Sequence, residues 1–167
     1  ILSMNRIPLS GKNGAGKFVI VDDDTAEQLD GVRIWDDGRG YAYIRNGDTK
    51  QHLHRFIMQP ASKNILIDHI NQDKLDNRRC NLRFCDRGQN LMNKGKLARN
   101  KSGYKGVVRN TKVKKESWSA YIKAGSIRKN LGSFPTKELA AEAYNQAAKF
   151  YHGEFAHLND VKREQSL

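Results

Sequence analysis

The sequence has few cysteines, three prolines and no long apolar run. Its two cysteines, Cys80 and Cys85, are too few for a disulfide scaffold, and we expect both thiols to stay reduced. No window approaches the roughly 18 consecutive apolar residues of a membrane-spanning helix, which argues against a membrane protein. Residues 1–17 lack the apolar stretch and cleavage site of a secretory signal, and Met4 is a candidate natural start. We therefore expect an intracellular protein.

Acidic residues are also in short supply. The 167 residues carry 30 Lys and Arg against 18 Asp and Glu, a formal net charge of +12. Residues 1–60 hold 8 basic and 8 acidic side chains, residues 61–100 hold 9 and 4, and residues 101–167 hold 13 and 6. A basic excess of this kind points to a polyanion, with nucleic acid favoured over mere solubility. We expect the later segments, and not the acidic first one, to contact phosphates.

Short β-branched runs predict strands in the first half of the chain. Asp37-Gly38 and Asn46-Gly47 are turn signals between them. The segment 52–58 fits either a strand or a helix, ended by Pro60. Strands are predicted at 17–21, 32–35, 40–45 and 65–70, with 82–85 as a partner for the last, and a short helix at 88–93.

The second half predicts a basic linker followed by a sheet and a helix. Residues 93–103 are rich in Gly, Ser, Asn and basic side chains, which is typical of a tether or a solvated loop. Strands are predicted at 104–109, 118–124 and 127–134, with a tight turn at Gly125-Ser126. An apolar stripe of helical spacing begins after the N-cap candidate Thr136 and ends at Gly153.

Chemistry-bearing side chains concentrate in the middle segment. Asp68 and His69 lie together at the end of an apolar strand. A carboxylate is a hard ligand suited to Mg²⁺ or Mn²⁺, and a histidine with a near-neutral pKa can activate water. Asn90 follows 22 residues later and can offer a carbonyl oxygen to the same ion. Composition alone does not tell whether these residues converge.

Several fixed spacings recur between residues 50 and 95. They are formed by His54-Arg55, Asp68-His69-Ile70-Asn71, Leu75-Asp76-Asn77-Arg78, Asn81-Leu82-Arg83, Asn90 and Asn93. This pattern resembles an HNH nuclease, specifically the HNH homing endonucleases of phages and introns. That resemblance implies a ββα-metal fold, in which two strands and a helix surround one divalent ion. It also implies the cytoplasm of a bacterial or phage-infected host as the setting.

The resemblance implies a role for four residues. Asp68 and Asn90 are the implied ligands of one Mg²⁺ or Mn²⁺. His69 is the implied general base that deprotonates the attacking water. Asn81 is the implied central Asn, which braces the loop and orients His69, unless it is only a loop clamp.

Other polar residues of this segment have simpler interpretations. We favour a structural, buried role for His54 over catalysis, and Asn77 is interpreted as a turn residue. Cys80 and Cys85 are separated by four residues and have no second pair, so no structural zinc is expected. Four arginines of this segment can contact phosphate: Arg78, Arg79, Arg83 and Arg87. We expect at least two of them to do so, and the candidates are Arg78 and Arg83.

The C-terminal segment has a second set of characteristic motifs. They are Ser102-Gly103-Tyr104-Lys105-Gly106-Val107, Trp118-Ser119-Ala120-Tyr121-Ile122, Leu131-Gly132-Ser133-Phe134, Ala140-Ala141, Ala143-Tyr144, Ala147-Ala148 and Asn159. With these motifs the segment resembles the plant ethylene-response-factor (AP-two) type of DNA-binding domain. That family lays a three-stranded sheet in the major groove and packs its helix behind.

The resemblance implies DNA contacts from the sheet. The candidate residues are Lys105, Arg109, Tyr121, Lys123, Arg128 and Asn130. This chain departs from the family at several reading positions: Arg is usual at Lys105 and Val108, Glu at Tyr121, and Trp at Asn130. Base preference therefore does not transfer.

Together these observations predict an α+β protein with four segments. They are a β-rich N-terminal segment at 1–50, an HNH nuclease segment at 51–95, a basic linker at 96–103 and an AP-two-like domain at 104–160. The expected function is metal-dependent, site-directed cleavage of double-stranded DNA, by a monomer or weak dimer. The alternatives are a sequence-specific DNA-binding regulator with an inactive nuclease segment, and an RNA-binding protein, which a major-groove sheet disfavours.

Overall fold

The fold is taken from a computed structural model that describes residues 4–96, 100–111 and 115–161. The chain divides into two compact units, Ile1–Arg87 and Gly88–Leu167. The strands are β1 (Asn5–Pro8), β2 (Phe18–Val21), β3 (Ile34–Asp36), β4 (Ala42–Asn46), β5 (Thr49–His52), β6 (Leu66–His69), β7 (Leu82–Cys85), β8 (Val107–Arg109), β9 (Trp118–Ala124) and β10 (Ile127–Phe134). The helices are α1 (Asp23–Gln28), α2 (Leu53–Met58), α3 (Arg87–Asn93) and α4 (Lys137–His152).

The first unit contains three small antiparallel sheets. The strand orders are β1-β2, β3-β4-β5 and β6-β7. One apolar cluster joins them, with residues on both sides of position 50: Leu9, Val19, Val21 and Ile34 belong to it, and so does Leu82. The predicted pairing of 65–70 with 82–85 is confirmed by the β6-β7 hairpin.

Two short α-helices, α1 and α2, lie among the described residues of the first unit. The segment that fitted either a strand or a helix is divided: its first residue, His52, ends β5, and α2 follows, with Leu53 and Ile57 buried one helical turn apart. The acidic run at 22–24 opens α1. Asp23 and Asp24 occupy its first turn, where carboxylates complement the exposed amides and the positive end of the helix.

One buried carboxylate of the first unit forms an ion pair. Asp36 is 6% exposed and accepts hydrogen bonds from Lys17 Nζ at 2.6 Å and from the amides of Gly38 and Gly40. The Lys17 ammonium is the main cause that holds the pKa of Asp36 below its ordinary value of 3.8. The ionised form is therefore the one that the folded state binds best.

We expect Asp36 to stabilise the fold most above pH 3.8 and to lose that contribution as the pH falls through its lowered folded-state pKa. In that window the unfolded state binds more protons, so unfolding becomes easier by up to about 1.4 kcal/mol per pH unit. Denaturant titrations between about pH 2 and about pH 6 should show a shallower acid loss for Asp36→Asn. The exposed turn variant Asp48→Asn is the control. Equal acid slopes in all three proteins would contradict this expectation.

The second unit contains a three-stranded sheet and one long helix, as predicted. The strand order is β10-β9-β8, all antiparallel, and β9 and β10 meet at the two-residue turn 125–126. Val107, Ala120 and Ile122 of the sheet pack against the helix through Ala140, Ala141, Tyr144 and Ala148. The small alanines let α4 lie close to the strands.

The ends of α4 also agree with the sequence. Thr136 caps its first turn, since its hydroxyl accepts a hydrogen bond from the Leu139 amide at 3.2 Å. Gly153 ends it with φ 53°, a left-handed conformation that glycine adopts without strain. The helix was therefore predictable from cap to cap.

The strand predicted at 104–109 is wrong in its first half, because residues 104–106 form a turn and β8 begins at Val107. Gly106 has φ 76° there, which breaks the extended conformation. The Asn159 side chain fixes the turn by accepting from the Lys105 amide at 2.6 Å and donating to its carbonyl at 3.0 Å. Hydrogen bonds from a residue distant in sequence thus take the place of the strand hydrogen bonds that the local sequence predicted.

No described helix is both long and apolar enough to cross a membrane. The predicted linker at 96–103 includes residues 97–99, which lie outside the described residues.

Candidate functional site

The β6-β7 hairpin carries the two residues that were predicted to do the chemistry. Asp68 pairs in register with Arg83, and His69 pairs with Leu82. Successive strand residues point to opposite faces, so Asp68 and His69 leave β6 on different sides. Both are buried, at 6% and 5% exposure. The sequence predicted their place at the strand end, but not this division between two faces.

Asp68 forms an ion pair across the hairpin. Its Oδ2 accepts hydrogen bonds from Arg83 Nε at 3.0 Å and Nη2 at 2.8 Å. Both side chains are largely buried, at 7% and 12% exposure. Arg83, predicted as a phosphate contact, is therefore the partner of the predicted metal ligand. Whether it also contacts phosphate stays a prediction.

Asn81 spans the loop that follows β6. Its Oδ1 accepts from the Asn71 amide at 3.0 Å, and its Nδ2 donates to the Asp76 carbonyl at 2.7 Å. Its backbone carbonyl accepts from the Ile70 amide at 2.9 Å. The side chain is buried, so these bonds form away from water, where leaving one unmade is costly. Asn81 thus holds together the two ends of the loop beside His69.

The N-terminal strands support the same loop. The Ile20 amide donates to the Leu75 carbonyl at 2.8 Å, and the Asn77 amide donates to the Ile20 carbonyl at 2.7 Å. Asn77 is 1% exposed, and its Nδ2 donates to the Lys74 carbonyl. The sequence indicated a turn residue, but Asn77 follows the turn at 74–75 and is a buried part of the loop. Strand β2 therefore fixes the loop at residues that Asn81 does not bind.

His69 lies in an aromatic environment. Its ring centroid is 5.4 Å from that of His54, edge to face, and 6.1 Å from that of Tyr41. Burial lowers the pKa of His69, against the opposing effects of Asn77 and of the nearby carboxylates, first among them Asp68. The imidazole is consequently neutral at pH 7, the form that accepts a proton.

Three histidines and a tyrosine meet at this point, which the sequence did not reveal. The rings of His52 and His54 stack with centroids 5.4 Å apart, and Tyr41 contacts both at 5.8 and 5.7 Å. Burial and the neighbouring histidines lower the pKa of His54 to about 3. His54 is half-buried, not fully buried as we expected, and contacts the rings of Tyr41, His52 and His69; its structural role stays a prediction. The signal available in the sequence was the spacing of His52 and His54 at the start of a helix.

Two arginines beside the site bind carboxylates of the first unit. Arg78 donates to both oxygens of Asp76, at 2.8 and 2.6 Å, and lowers the pKa of that carboxyl. Arg79 donates to Asp24 at 2.8 Å and, through its amide, to Asp22 at 2.8 Å. The predicted phosphate contact of Arg78 stays a prediction, since its guanidinium already has an anionic partner.

Asn90, the second predicted metal ligand, lies on α3 and belongs to the second unit. Its pairing with Asp68 stays a prediction. Within residues 4–96, 100–111 and 115–161, no three His, Cys, Asp or Glu side chains form a group suited to a metal ion. Cys80 is exposed and Cys85 is buried, both as free thiols.

Four of the predicted DNA contacts share the face of the C-terminal sheet turned away from α4. Arg128 pairs with Lys123, and Asn130 with Tyr121, while the intervening Ile122 packs toward the helix. The Arg128 guanidinium lies 4.0 Å from the centre of the Tyr121 ring. Asn130 accepts from the Gly132 amide at the irregular point in the β9-β10 register.

The other two predicted contacts lie elsewhere. Arg109 pairs in register with Trp118, on the side of the sheet that packs against α4. Lys105 lies in the turn before β8, and its ammonium donates to the Met92 carbonyl. Burial lowers the pKa of Lys105 to about 8. The structure therefore does not bring Lys105 and Arg109 onto the face formed by the other four.

Comparison with curated proteins finds a relative by sequence similarity. A protein of Acanthamoeba polyphaga mimivirus is 33% identical over 117 residues, which are 67% of this chain. That relative is named an uncharacterized HNH endonuclease. The chain spans 59% of the relative's length. No family model matches the chain, and no solved structure gives a significant match. The similarity supports the HNH part of the resemblance and leaves the AP-two part unsupported.

Proposed function

We propose that the protein is a metal-dependent, site-directed DNA endonuclease of the HNH type, belonging to the homing group. The observation that carries this proposal is the buried His69 beside Asp68 on one hairpin, next to a loop held by Asn81. The viral relative named an HNH endonuclease supports the same class.

Proton transfer is the role proposed for His69. The neutral imidazole takes a proton from the water that attacks the phosphodiester. Asn81 is a positioning residue, since it holds the loop after β6 through both of its amide atoms. The aromatic rings of His54 and Tyr41 keep bulk water away from one side of His69.

The donor chemistry at Asp68 fits a divalent ion. A carboxylate oxygen is a hard ligand, and Mg²⁺ in nucleases keeps several waters and uses only one or two carboxylates from the protein. Asn90 is proposed as the neutral second ligand, which leaves positive charge on the ion. A bound Mg²⁺ or Mn²⁺ supplies charge that stabilises the phosphoryl transition state. The Arg83 guanidinium fixes the orientation of Asp68 through two hydrogen bonds.

Duplex binding is proposed for the C-terminal sheet, by the AP-two resemblance. Its support is a three-stranded antiparallel sheet backed by one helix, with Tyr121, Lys123, Arg128 and Asn130 on the opposite face. Lys105 and Arg109 are weaker candidates, because neither belongs to that face. One nuclease site cuts one strand, so a monomer is expected to nick, and double-strand cleavage requires a weak dimer or a second event.

Phosphate contacts by the sheet predict a change in salt dependence. Lys123→Gln and Arg128→Gln should each weaken duplex binding and reduce the slope of log K against log salt by about 0.9, since each removes one phosphate contact. The slope is measured by fluorescence anisotropy between about 50 and about 300 mM KCl. Lys149→Gln, exposed on α4, is the matched control. An unchanged slope in both sheet variants would remove them from the proposed interface.

One observation favours the second candidate, a DNA-binding regulator with an inactive nuclease segment. The Arg83 guanidinium already neutralises Asp68, the only carboxylate in the proposed ligand pair. The two functions separate when one plasmid is assayed for binding and cleavage together. Open-circular product in Mg²⁺ supports the nuclease, whereas duplex binding without any product in Mg²⁺ or Mn²⁺ supports the regulator.

A further inference from the structure

The exposed side of the β3-β4-β5 sheet carries rings and basic side chains together. Trp35, Tyr43 and His52 align in one row across the three strands, and Arg45 aligns with Lys50 in the next. Residues that pair across antiparallel strands point to the same side, so these five form one surface. We call it the aromatic–basic face. The opposite side carries Ile34, Ala42 and Ile44, which belong to the core.

The rings of this face are already arranged for stacking. Trp35 and Tyr43 stack with centroids 5.6 Å apart and planes 23° from parallel. The Lys50 ammonium lies 3.9 Å from the centre of the Tyr43 ring. Gly11, at φ 80°, approaches Trp35 closely enough that a β-carbon there would lie 3.4 Å from Cδ1 of the indole. Gly11 therefore lies close to the Trp35 indole.

Among the acidic residues of 1–60, Asp36 and Asp24 are paired away from this face, whereas Asp37 borders it at His52. Asp36 is buried on the core side and paired with Lys17. Asp24 binds Arg79. Asp37 accepts from the amides of Arg39 and Tyr41 and lies 3.3 Å from His52 Nε2. The expectation that the first segment does not contact phosphates rests on its summed charge, and these pairs separate part of that charge on folding.

The aromatic–basic face leads to the proposed general base. His52 ends β5 in register with Tyr43, and its ring stacks on that of His54 at 5.4 Å. His54 in turn contacts His69 at 5.4 Å. All of these residues belong to the first unit. A chain of ring contacts thus connects the exposed sheet surface to the buried imidazole.

We propose that the aromatic–basic face binds an unpaired stretch of the DNA strand next to the phosphodiester presented to His69. This inference rests on the proposed function and adds a substrate feature to the same site. Rings stack on bases whose faces are open, as in single strands, while a duplex conceals those faces. Arg45 and Lys50 supply the charge for the phosphates between stacked bases. On binding, a base takes the place of the Lys50 ammonium over Tyr43.

The test measures binding of a fluorescent oligothymidine of about 12 nucleotides, within the span of such sites, to the full chain by anisotropy, in EDTA so that no cleavage occurs. Tyr43→Leu should raise the dissociation constant about tenfold, the loss of roughly one stacked base. Lys50→Gln should raise it about threefold by removing one phosphate contact. Phe150→Leu, an aromatic 81% exposed on α4, and Lys63→Gln are the matched controls and should bind as the unmodified protein does.

A second signal reports on Trp35 directly. The chain has two tryptophans, so Trp118→Phe leaves Trp35 as the sole indole. Its fluorescence should be quenched by the oligonucleotide with the same midpoint as the anisotropy change, because a stacked base quenches indole emission. Thermal unfolding of each variant checks that the first unit remains folded.

Three outcomes would overturn the inference. Unchanged affinity in both Tyr43→Leu and Lys50→Gln would show that the face does not bind the strand. An equal loss in the two controls would point to general basic attraction. If the variants lost as much affinity for duplex DNA as for single-stranded DNA, the face would bind a duplex and not an unpaired strand. The proposed function fails separately, by absence of plasmid cleavage, and Tyr43-dependent strand binding would survive that result.

Discussion

Replacing His69 by Ala is expected to slow plasmid nicking by about 10² to 10⁴-fold, the range that a general base contributes. The imidazole is buried and held neutral, and its loss leaves the attacking water without a proton acceptor. The rate is measured under single-turnover conditions, with enzyme in excess over supercoiled plasmid. Duplex affinity should stay within about twofold, because the predicted DNA contacts of the C-terminal sheet are untouched.

Two further variants keep this result interpretable. His69→Gln retains a polar side chain in the buried position and should be equally slow if the loss is chemical and not a matter of folding. His157→Ala removes an imidazole from the second unit and should nick at the unmodified rate. A His69→Ala rate within about threefold of the unmodified protein would contradict the assignment of the base.

Gly106→Ala is expected to destabilise the second unit by about 3 kcal/mol or more. Gly106 has φ 76°, and a β-carbon there would overlap the Tyr144 ring and lie 2.6 Å from the Tyr121 carbonyl oxygen. Steric overpacking in a core costs about 1–3 kcal/mol, and the left-handed backbone adds about 1–2 kcal/mol for a residue with a β-carbon. Tyr144 is 2% exposed and packs on α4's sheet side, so its ring has little room to move.

The glycine at position 103 offers a matched control. It has φ 86°, yet a β-carbon there would meet nothing within 4 Å. Gly103→Ala therefore isolates the backbone cost and should destabilise the unit by about 1–2 kcal/mol. Thermal unfolding followed by Trp118 fluorescence, in a Trp35→Phe background, should show a midpoint lowered by roughly 10–20 °C for Gly106→Ala. Equal midpoints for the two variants would contradict the steric argument.

Local sequence signals predicted the elements whose causes are themselves local. Helix α4 has its cap at Thr136, its alanine stripe and its glycine stop within one continuous segment. The β9-β10 hairpin has its turn residues between its strands. The β6-β7 pair was predicted from two apolar runs that can satisfy each other's backbone groups.

The elements that sequence missed depend on distant partners. The turn at 104–106 is held by Asn159, which lies 54 residues beyond Lys105. The side-chain amide of Asn159 bonds the backbone groups of Lys105 that a strand partner would otherwise bond. The acidic run that opens α1 finds its partner in Arg79. Neither contact produces a residue pattern in the local sequence from which it could be predicted.

The candidate site divides in the same way. Residue type indicated Asp68 and His69, and the HNH resemblance added Asn81; the structure places these residues on the β6-β7 hairpin and its loop. Sequence did not indicate that Arg83 binds Asp68, because that pair arises from strand register. The cluster of Tyr41, His52 and His54 around His69 was also missed, since β4, β5 and α2 meet only after folding.

The most direct test of the proposed nuclease is to identify the DNA product that forms when plasmid is incubated with the protein in Mg²⁺ or Mn²⁺. Hydrolysis by an activated water, with the 3′-oxygen as leaving group, predicts open-circular DNA whose nick carries a 5′-phosphate and a 3′-hydroxyl. DNA ligase should therefore reclose it, and EDTA should prevent its formation. A nick that forms equally well in EDTA, or that ligase does not reseal, would contradict metal-dependent hydrolysis at this site.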